Sequence, residues 1–327
     1  MANLLTTLPG NTKSNLNHYY HQAAGKGLDE FFFEKYIVNR EQLEQWCEFH
    51  QSTNDREVLR KPLIMGVLNF TPDSFSDGGQ YYNAPEKAVA RAQQMIAEGA
   101  DIIDIGGESS RPGALPVSSA EELARVIPLI KALRAESDVC ISIDTTKADV
   151  MANAVAAGAS MINDISALAG DESLETAAGL GVPVCLMHMQ GRPESMQNNP
   201  YYSGSVVDEV NLFFQQRVEC CLAAGIKTKH LILDPGFGFG KTPEHNLFMV
   251  KRLAAFRQHN LPLMLGVSRK STLGYLTGKP VNQRLASGLA IALFAMLQGV
   301  GIIRTHDIAE TYQALLTMQA INQADKE

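Results

Sequence analysis

Short apolar runs alternate along most of the chain with longer stretches of helical periodicity. Runs rich in Val, Ile, Leu and Met predict eight strands, at 63–69, 101–106, 140–144, 160–164, 183–188, 230–234, 262–267 and 301–305. Apolar residues at helical spacing predict helices at 84–98, 119–135, 147–157, 172–179, 206–224, 244–258, 282–298 and 307–322. Because continuous apolar runs are typical of parallel strands buried on both faces, this order predicts an α/β fold with a parallel sheet.

Residues typical of helix ends and helix starts lie between these elements and support the predicted alternation. Gly99, Gly158, Gly225 and Gly299 each follow a predicted helix directly, as helix-terminating glycines do, and Ser119 stands at the start of one. Eight strands alternating with eight helices predict a (β/α)8 TIM barrel. An open, doubly wound sheet is the alternative, although the first strand is not followed by the Gly-x-Gly-x-x-Gly pattern of a dinucleotide fold.

The sequence predicts two parts, an N-terminal extension at 1–58 and the barrel at 59–327. The extension is polar to about residue 27, which predicts disorder, and then becomes apolar, with Phe31 to Phe33 followed by Leu43, Trp46 and Cys47 near helical spacing. We expect this second half to be partly helical and to bury its apolar face on the barrel or on a partner chain. No polar strand end comes from the extension, so we expect it to be dispensable for the chemistry.

Composition narrows the range of functions. The net charge of −7 argues against a nucleic-acid surface. No window is apolar enough for a membrane span, and the first residues lack the apolar stretch of a secretory signal. None of the five cysteines belongs to a Cys-x-x-Cys pair, so we expect buried, reduced thiols and a cytoplasmic protein.

Polar residues gather where the predicted strands end, and they form two groups by chemistry. The acceptor-rich group suits a flat heterocycle that presents several N–H donors, and it comprises Asp144, Asn163 and Asp234. The donor-rich group suits a phosphate or diphosphate, with a metal held through Asn69, and it comprises Asn69, Ser110, Arg111, Arg304 and His306. Lys270 lies between the two groups in strand order.

Several single residues also have plainer interpretations. Asp307 is expected to cap the following helix, and Asp104 to be an interior group with its hydrogen bonds satisfied. Arg269 is compatible with a surface charge, and His188 equally with a structural histidine or a ligand contact. The glycine pattern at 236–240 alone does not indicate a nucleotide loop. Polar groups at the same end of eight strands are nevertheless hard to explain as helix caps.

Eight motifs at the strand ends resemble dihydropteroate synthase, a family of the folate pathway. They are MGVLNFTPDSFSDGG at 65–79, GGESSRPGA at 106–114, SIDT at 142–145, NDI at 163–165, MHMQG at 187–191, DPGFGFGK at 234–241, SRKS at 268–271 and RTHD at 304–307. The resemblance runs from about residue 62 to the C-terminus. One departure is Ser110, where the family usually carries Thr, and it keeps the hydroxyl.

The resemblance implies a transferase that joins 6-hydroxymethyl-7,8-dihydropterin diphosphate to 4-aminobenzoate and releases diphosphate by an SN1-like loss. It implies Mg²⁺ at Asn69, small-molecule substrates, a homodimer, and inhibition by sulfonamides at the 4-aminobenzoate site. The Ala-, Leu- and Gly-rich face of the helix at 282–298 suggests that helix as the dimer contact.

The family's site residues carry over by position. The pterin site would be Asp144, Asn163, Met187, Asp234, Phe239, Gly266 and Lys270. The diphosphate site would be Asn69, Ser110, Arg111, Arg304 and His306. The 4-aminobenzoate site would be Phe75, Pro112, Lys270 and Ser271. The catalytic set would be Asp144, Asp234, Lys270, Arg304 and His306.

Two other functions remain open from the residues alone. A barrel of the methyltetrahydrofolate–corrinoid type would share the acidic pterin site but would not need the donor-rich group. A non-catalytic barrel retained for interaction would be expected to have lost motif residues, and none is lost. Diphosphate release that depends on 4-aminobenzoate would separate these alternatives from the first.

Overall fold

The eight predicted strands are all present and all parallel in a computed structural model, which describes residues 38–52, 60–71, 85–111 and 113–324. The strands are β1 Leu63–Asn69, β2 Ile102–Gly106, β3 Cys140–Asp144, β4 Met161–Asp164, β5 Val184–Met187, β6 Leu231–Asp234, β7 Met264–Gly266 and β8 Ile302–Thr305. Each lies within two residues of its predicted bounds. The apolar runs therefore located the strands because these strands are buried along nearly their whole length.

The strand order is that of a barrel. The sheet runs β6-β5-β4-β3-β2-β1-β8-β7, so every hydrogen-bonded pair is made of neighbours in sequence, except for the β1–β8 pair that joins the two ends of the chain. A bridge between Leu233 and Leu263, with the Leu233 N–H donating to Pro262 O at 2.9 Å, closes the remaining gap between β6 and β7. This confirms the (β/α)8 prediction, and the open-sheet alternative is wrong.

Helices follow the strands around the outside. They are α1 Arg40–Ser52, α2 Pro85–Glu98, α3 Ser119–Glu136, α4 Ala148–Ala157, α5 Ser173–Leu180, α6 Val206–Ala223, α7 Pro243–Lys251, α8 Ser271–Thr277, α9 Leu285–Leu297 and α10 Ile308–Gln323. Two differ from the sequence predictions. The helix expected at 244–258 ends at Lys251 and continues as 3₁₀ turns at Leu253–His259, and the short α8 precedes the helix expected at 282–298.

The ends of the helices follow the sequence signals closely. Gly99, Gly158, Gly225 and Gly299 all have positive φ, as helix-terminating residues do. The N-cap of α3 is Ser118, not Ser119, and its side chain accepts from the Glu121 N–H at 3.2 Å. None of the described helices is long and apolar enough to cross a membrane.

Two separate apolar cores hold the barrel together. The larger fills the space between the strands and the surrounding helices. The second lies at the end of the barrel where the strands begin, and we call it the floor; its buried members are Leu43, Trp46, Cys47, Met65, Ile102, Cys140, Met161, Cys185, Ile232, Met264 and Ile302. Helix α1 supplies the first three, so the apolar part of the extension that is described packs on the barrel.

Polar contacts around the rim of the floor fix α1 in place. The Cys140 N–H donates to Val38 O at 2.6 Å, the Arg40 guanidinium to Gly181 O at 2.8 Å, and the Gln51 amide to Thr228 O at 2.8 Å. All described residues belong to one compact unit. All five cysteines are free; four are buried, as the sequence predicted, and Cys220 is exposed instead.

Candidate active site

The polar strand ends meet at the opposite end of the barrel, which we call the mouth. Strand register sets its residues side by side: Asp144 pairs with Asn163 across β3 and β4, and Met187 with Asp234 across β5 and β6. Because all eight strands are parallel, their last residues share one rim. The acceptor-rich group predicted from sequence is therefore contiguous around β3 to β6.

Arg304 is the centre of the charged network at the mouth. Its Nε donates to Asp104 Oδ2 at 2.7 Å and its Nη2 to Asp144 Oδ2 at 2.7 Å. The amide of Asn163 also donates to Asp104 Oδ2, at 3.2 Å. Arg304 was assigned from sequence to the donor-rich group, and the structure joins it to the acceptor-rich one, so this side chain connects both halves of the site.

Burial and neighbouring charges shift the pKa values in this network. Burial, reinforced by the charge of Asp104, raises the pKa of Asp144 to about 7, although Arg304 opposes the shift. Burial alone would lower the pKa of Arg304, but Asp104 and Asp144 outweigh it and raise that pKa above its ordinary value. Arg304 is therefore a permanent cation that offsets the two carboxylates.

Lys270 faces the same network from the end of β7. Its ammonium donates to Phe237 O and lies 4.4 Å from the centroid of the Phe239 ring. Burial lowers the pKa of Lys270 to about 7, and Asp234 partly opposes that change. Burial likewise raises the pKa of Asp234, against the charge of Lys270 and a 2.8 Å hydrogen bond from the Gly236 N–H.

His306 marks the cationic side of the mouth. Its backbone N–H donates to Ser268 Oγ at 3.2 Å, and its Nδ1 lies 3.2 Å from the same oxygen. Burial lowers the pKa of His306 to about 3, and four cations add to that effect: Arg304, Arg269, Arg111 and Lys270. A histidine that several fixed cations keep neutral indicates a place where an anion would be stabilised.

The remaining donor-side residues lie at the ends of β1 and β2. A Cβ added at Gly106 would stand 3.5 Å from Asn69 Oδ1 and 3.6 Å from Asp144 Cβ, so the bare Gly106 leaves room between these two side chains. Ser110 is half-buried and Arg111 is exposed. Gly113 donates to Pro193 O at 3.3 Å, which brings the loop after β2 against the loop after β5.

Mg²⁺ prefers oxygen ligands, so the oxygen-bearing side chains at this rim decide whether it could bind there. Within the described ranges, no group of three or more His, Cys, Asp or Glu side chains is arranged to hold a metal. Mg²⁺ commonly takes only one or two protein ligands and completes its octahedron with water and substrate phosphates. Asn69 ends β1 at this rim, with its amide oxygen near Gly106, and an amide oxygen is a ligand type that suits such a site.

The other predicted residues fall into two sets. Met187 is buried beside Asp234, Gly266 pairs with Arg304 across β7 and β8, and the exposed Ser271 begins α8 directly after Lys270. Phe75 and Pro112 of the 4-aminobenzoate site lie outside the described residues, as do residues 1–37 of the extension.

Two plain interpretations from sequence need correction. Asp307 occupies the N-cap position of α10 but makes no side-chain cap bond; its carboxylate instead accepts from Arg269 Nη2 at 2.6 Å and from Ser268 Oγ at 3.3 Å. Arg269, at a backbone φ of 61°, is thus held in an ion pair rather than being a plain surface charge.

Sequence reasoning missed two residues at the mouth. Asp104 was expected to be satisfied, yet its buried Oδ1 has no hydrogen-bond partner among the described residues. Lys241 is only 2% exposed, with its ammonium 2.9 Å from His188 Nδ1. The available signals were a carboxylate inside an apolar strand and a lysine ending a glycine-rich run; both are weak until the partners are known.

Comparisons with known proteins agree on one family. The family described as "Pterin binding enzyme" matches residues 65–306. The dihydropteroate synthase of Haemophilus influenzae is 50% identical over 262 residues, which cover 80% of this chain and 94% of that protein.

Two solved structures show the same likeness in three dimensions. The Yersinia pestis dihydropteroate synthase with a sulfonamide drug superposes with a TM-score of 0.79 at 49% identity, covering 81% of this chain and 96% of that one. The Xanthomonas albilineans dihydropteroate synthase with 4-aminobenzoic acid gives 0.75 at 45% identity, covering 80% and 94%.

Proposed function

This chain belongs to the dihydropteroate synthases of the pterin binding enzyme family, and from that premise we propose how the mouth of its barrel carries out the reaction. The enzyme condenses 6-hydroxymethyl-7,8-dihydropterin diphosphate with 4-aminobenzoate and forms 7,8-dihydropteroate and diphosphate. One observation supports our assignment of residues most strongly: Arg304 ties the carboxylates of the mouth to the cations around His306. A substrate with a donor-rich ring and an anionic tail matches those two sides.

The ring of the pterin would occupy the acceptor side. Asp234 and Asn163 would accept its N–H donors, Asp144 would offset positive charge, and Lys270 would donate to an oxygen of the ring. Met187, Phe239 and Gly266 would border its faces and edges, because they lie beside these polar groups.

The diphosphate would occupy the donor side, where the bond-breaking step is assisted. The bond between the pterin methylene carbon and the diphosphate oxygen breaks, and its electron pair leaves with the diphosphate. Arg304, Arg111 and neutral His306 would stabilise the growing negative charge, with Asn69 and Ser110 as further contacts. The arylamine nitrogen then bonds to the methylene carbon and releases a proton.

Mg²⁺ would be held at Asn69 beside the diphosphate. When bound, it would supply further positive charge to the leaving group. The role of Asn69 is then to fix one ligand oxygen at the rim of β1, next to Gly106 and Asp144.

4-Aminobenzoate would enter beside Lys270 and Ser271, with Phe75 and Pro112 closing the pocket from the loops after β1 and β2. A sulfonamide has the same arylamine and a sulfonyl group in place of the carboxylate. Inhibition should therefore be competitive with 4-aminobenzoate. Inhibition that is non-competitive with 4-aminobenzoate would contradict this placement.

The direct test of the proposal is diphosphate release as a function of 4-aminobenzoate. Purified protein with Mg²⁺ and the pterin diphosphate should release diphosphate and form dihydropteroate only when the arylamine is added. An Arg304→Met variant, which loses both the carboxylate and the anion contacts, should lose most of that activity. Methyl transfer without diphosphate chemistry would instead favour the corrinoid type of barrel.

The assembly and location of the enzyme are also proposals. Helix α9 exposes Phe294 and Leu297, which share a face because they are three residues apart, to 38% and 48%, and this apolar face suits a homodimer contact. Replacing Leu297 with Glu should shift the sedimentation behaviour from dimer to monomer if this face is the interface. Five free thiols are consistent with the reducing cytoplasm, where we place the protein.

A further inference from the structure

The run Gly-Phe-Gly-Phe-Gly at 236–240, here called the glycine loop, has a packing reason for each glycine. Gly236, Gly238 and Gly240 have φ of 69°, 82° and 62°, a region that disfavours residues with a side chain. A Cβ added at Gly236 would lie 1.8 Å from His188 O, and one at Gly240 would lie 2.4 Å from Gln190 O. The glycines therefore let the loop lie against the backbone that follows β5.

All five carbonyl oxygens of the glycine loop accept hydrogen bonds from side chains. Lys241 donates to Gly236 O and Phe239 O, and Lys270 donates to Phe237 O. Gln197 donates to Gly238 O at 2.6 Å, and Tyr202 donates to Gly240 O at 3.1 Å. Two N–H groups are held as well, that of Gly236 by Asp234 and that of Gly238 by Asn246, each at 2.8 Å. A loop with so many fixed backbone groups is a rigid support rather than a mobile lid.

Lys241 makes the central contacts of this support. Its ammonium has three N–H donors, and the three nearest acceptors are His188 Nδ1 at 2.9 Å, Gly236 O at 3.0 Å and Phe239 O at 3.2 Å, with His188 O farther away at 3.5 Å. For His188 Nδ1 to accept, the proton of the neutral imidazole must be on Nε2. The low pKa of His188, about 3 owing to burial and to Lys241, agrees with a neutral ring.

The glycine loop connects Lys241 with Lys270. Phe237 O, to which Lys270 donates, lies between the two carbonyls that Lys241 holds, those of Gly236 and Phe239. The ring of Phe239 itself is 4.4 Å from the Lys270 ammonium. A Cβ at Gly238 would stand 3.1 Å from Lys270 Cδ, so the aliphatic part of Lys270 also rests on this loop. Lys241 and Lys270 therefore both donate hydrogen bonds to the same five-residue loop.

We propose that Lys241 is a positioning residue for Lys270. Its hydrogen bonds to the carbonyls of the glycine loop fix that loop, so that Phe237 O and the Phe239 ring hold the Lys270 ammonium where the pterin binds. The inference rests on the proposed function, since it assigns Lys270 to the pterin. Lys241 itself touches neither substrate. Burial lowers the pKa of Lys241 to about 7, and Asp234, which also faces Lys270, partly opposes that change. Asp144 and Arg304 face Lys270 from β3 and β8.

The first test replaces Lys241 with Met, which keeps the bulk of the chain and removes the three N–H donors. We expect kcat/KM for the pterin diphosphate to fall roughly 10–100-fold, the scale for losing a charged hydrogen-bonding group, while KM for 4-aminobenzoate changes less than threefold. Lys251→Met, an exposed lysine on α7, is the matched control and should behave as wild type.

A double-mutant cycle separates positioning from simple support of the fold. If Lys241 acts through Lys270, then Lys241→Met should cost little further activity in a Lys270→Met background. The alkaline limb of kcat/KM should also move to higher pH in Lys241→Met, because removing a nearby positive charge raises the pKa of Lys270. Equal losses in both backgrounds, with an unchanged pH profile, would overturn the proposal.

Two further measurements keep the outcome clear. If Lys241→Met does not fold, Lys241→Gln keeps an N–H donor without the charge and is carried through the same cycle. Calorimetric binding of the pterin diphosphate does not depend on turnover: weaker binding by the Lys241 variants supports positioning, and unchanged binding contradicts it. Failure of the wild type to release diphosphate on adding 4-aminobenzoate would instead overturn the proposed function alone.

Discussion

The two ends of this barrel are built from the same strands and have opposite chemistry. Strand β3 begins at Cys140, fully buried in the apolar floor, and ends four residues later at Asp144 in the charged mouth. Strand β8 begins at Ile302 in the floor and carries Arg304 at the mouth. A distance of two to four residues along one strand therefore separates a packing position from a site position.

The difference shows where stability and chemistry are located. The floor, closed by α1, buries large apolar side chains together with the thiols of Cys47, Cys140 and Cys185, so the contacts among them stabilise the fold. The mouth buries Asp104, Asp234 and Lys241, each of which costs desolvation energy that only partners recover. Damage to the floor should lower stability while sparing catalysis, and damage to the mouth should do the reverse.

Among the variants that test this division, Trp46→Ala in the floor is expected to have the largest effect, a loss of stability. Trp46 is 6% exposed, and truncating a buried aromatic residue typically costs about 3–5 kcal/mol of the free energy of unfolding. At a temperature where the variant stays folded, kcat should be that of wild type. Urea unfolding and steady-state kinetics measure the two quantities, and Glu41→Gln, exposed on the same helix, is the control. A comparable loss of kcat in folded Trp46→Ala would contradict the separation.

The next effect is expected from Asp234→Asn at the mouth. The amide keeps the shape but removes the charge that faces Lys270 and Lys241, so the barrier should rise by about 2–4 kcal/mol. The midpoint of unfolding should change much less, because burial already disfavours the charged carboxylate at this position. Asp234 would be excluded from the site if kcat/KM stayed at the wild-type value.

A smaller effect is expected from Gly301→Ala, which overpacks the floor. The added Cβ would stand 2.7 Å from Trp46 Cη2 and 2.9 Å from Cζ2, so the indole has to move, at a cost of about 1–3 kcal/mol. In a Trp46→Ala background the same change should cost almost nothing, because the clashing ring is gone. Additive losses in the double variant would place the strain elsewhere.

The smallest effect is a difference in thiol reactivity. Cys220 is exposed, whereas burial raises the pKa of Cys47 and Cys185 and brings that of Cys140 to about 12. In native wild type a disulfide reagent should modify Cys220 alone. The floor thiols should react only when the barrel opens, and sooner in Trp46→Ala than in wild type. Rapid labelling of Cys140 in the wild type would show that α1 does not seal the floor.

Much of this division could be predicted from sequence. Continuous apolar runs located the strands to within two residues, and the polar residues after them identified Asp144, Asn163, Asp234 and Lys270 as neighbours at one rim. The pattern around Trp46 showed that a face is buried but left open whether the barrel or a partner covers it. The reason is physical: helical periodicity shows that one face of a helix is apolar and therefore buried, but it does not identify the surface on which that face packs.

The features that sequence did not predict depend on long-range contacts. Asp104 meets Arg304 across 200 positions, and Lys241 meets His188 across 53, so neither role is visible in a local window. Helix α8 was missed because seven residues are too few to show a helical period. The glycine pattern at 236–240 was not assigned a role from sequence, and the structure explains Gly236 and Gly240 by the carbonyls of His188 and Gln190 packed against them.

The most direct test of the account measures 4-aminobenzoate-dependent diphosphate release and the free energy of unfolding together, for wild type, Trp46→Ala and Asp234→Asn. Trp46→Ala should keep the wild-type kcat with a greatly reduced free energy of unfolding. Asp234→Asn should lose roughly 30- to 900-fold in kcat/KM, the equivalent of about 2–4 kcal/mol, with nearly wild-type stability. If the two variants lose activity and stability in the same proportion, the division between floor and mouth is contradicted.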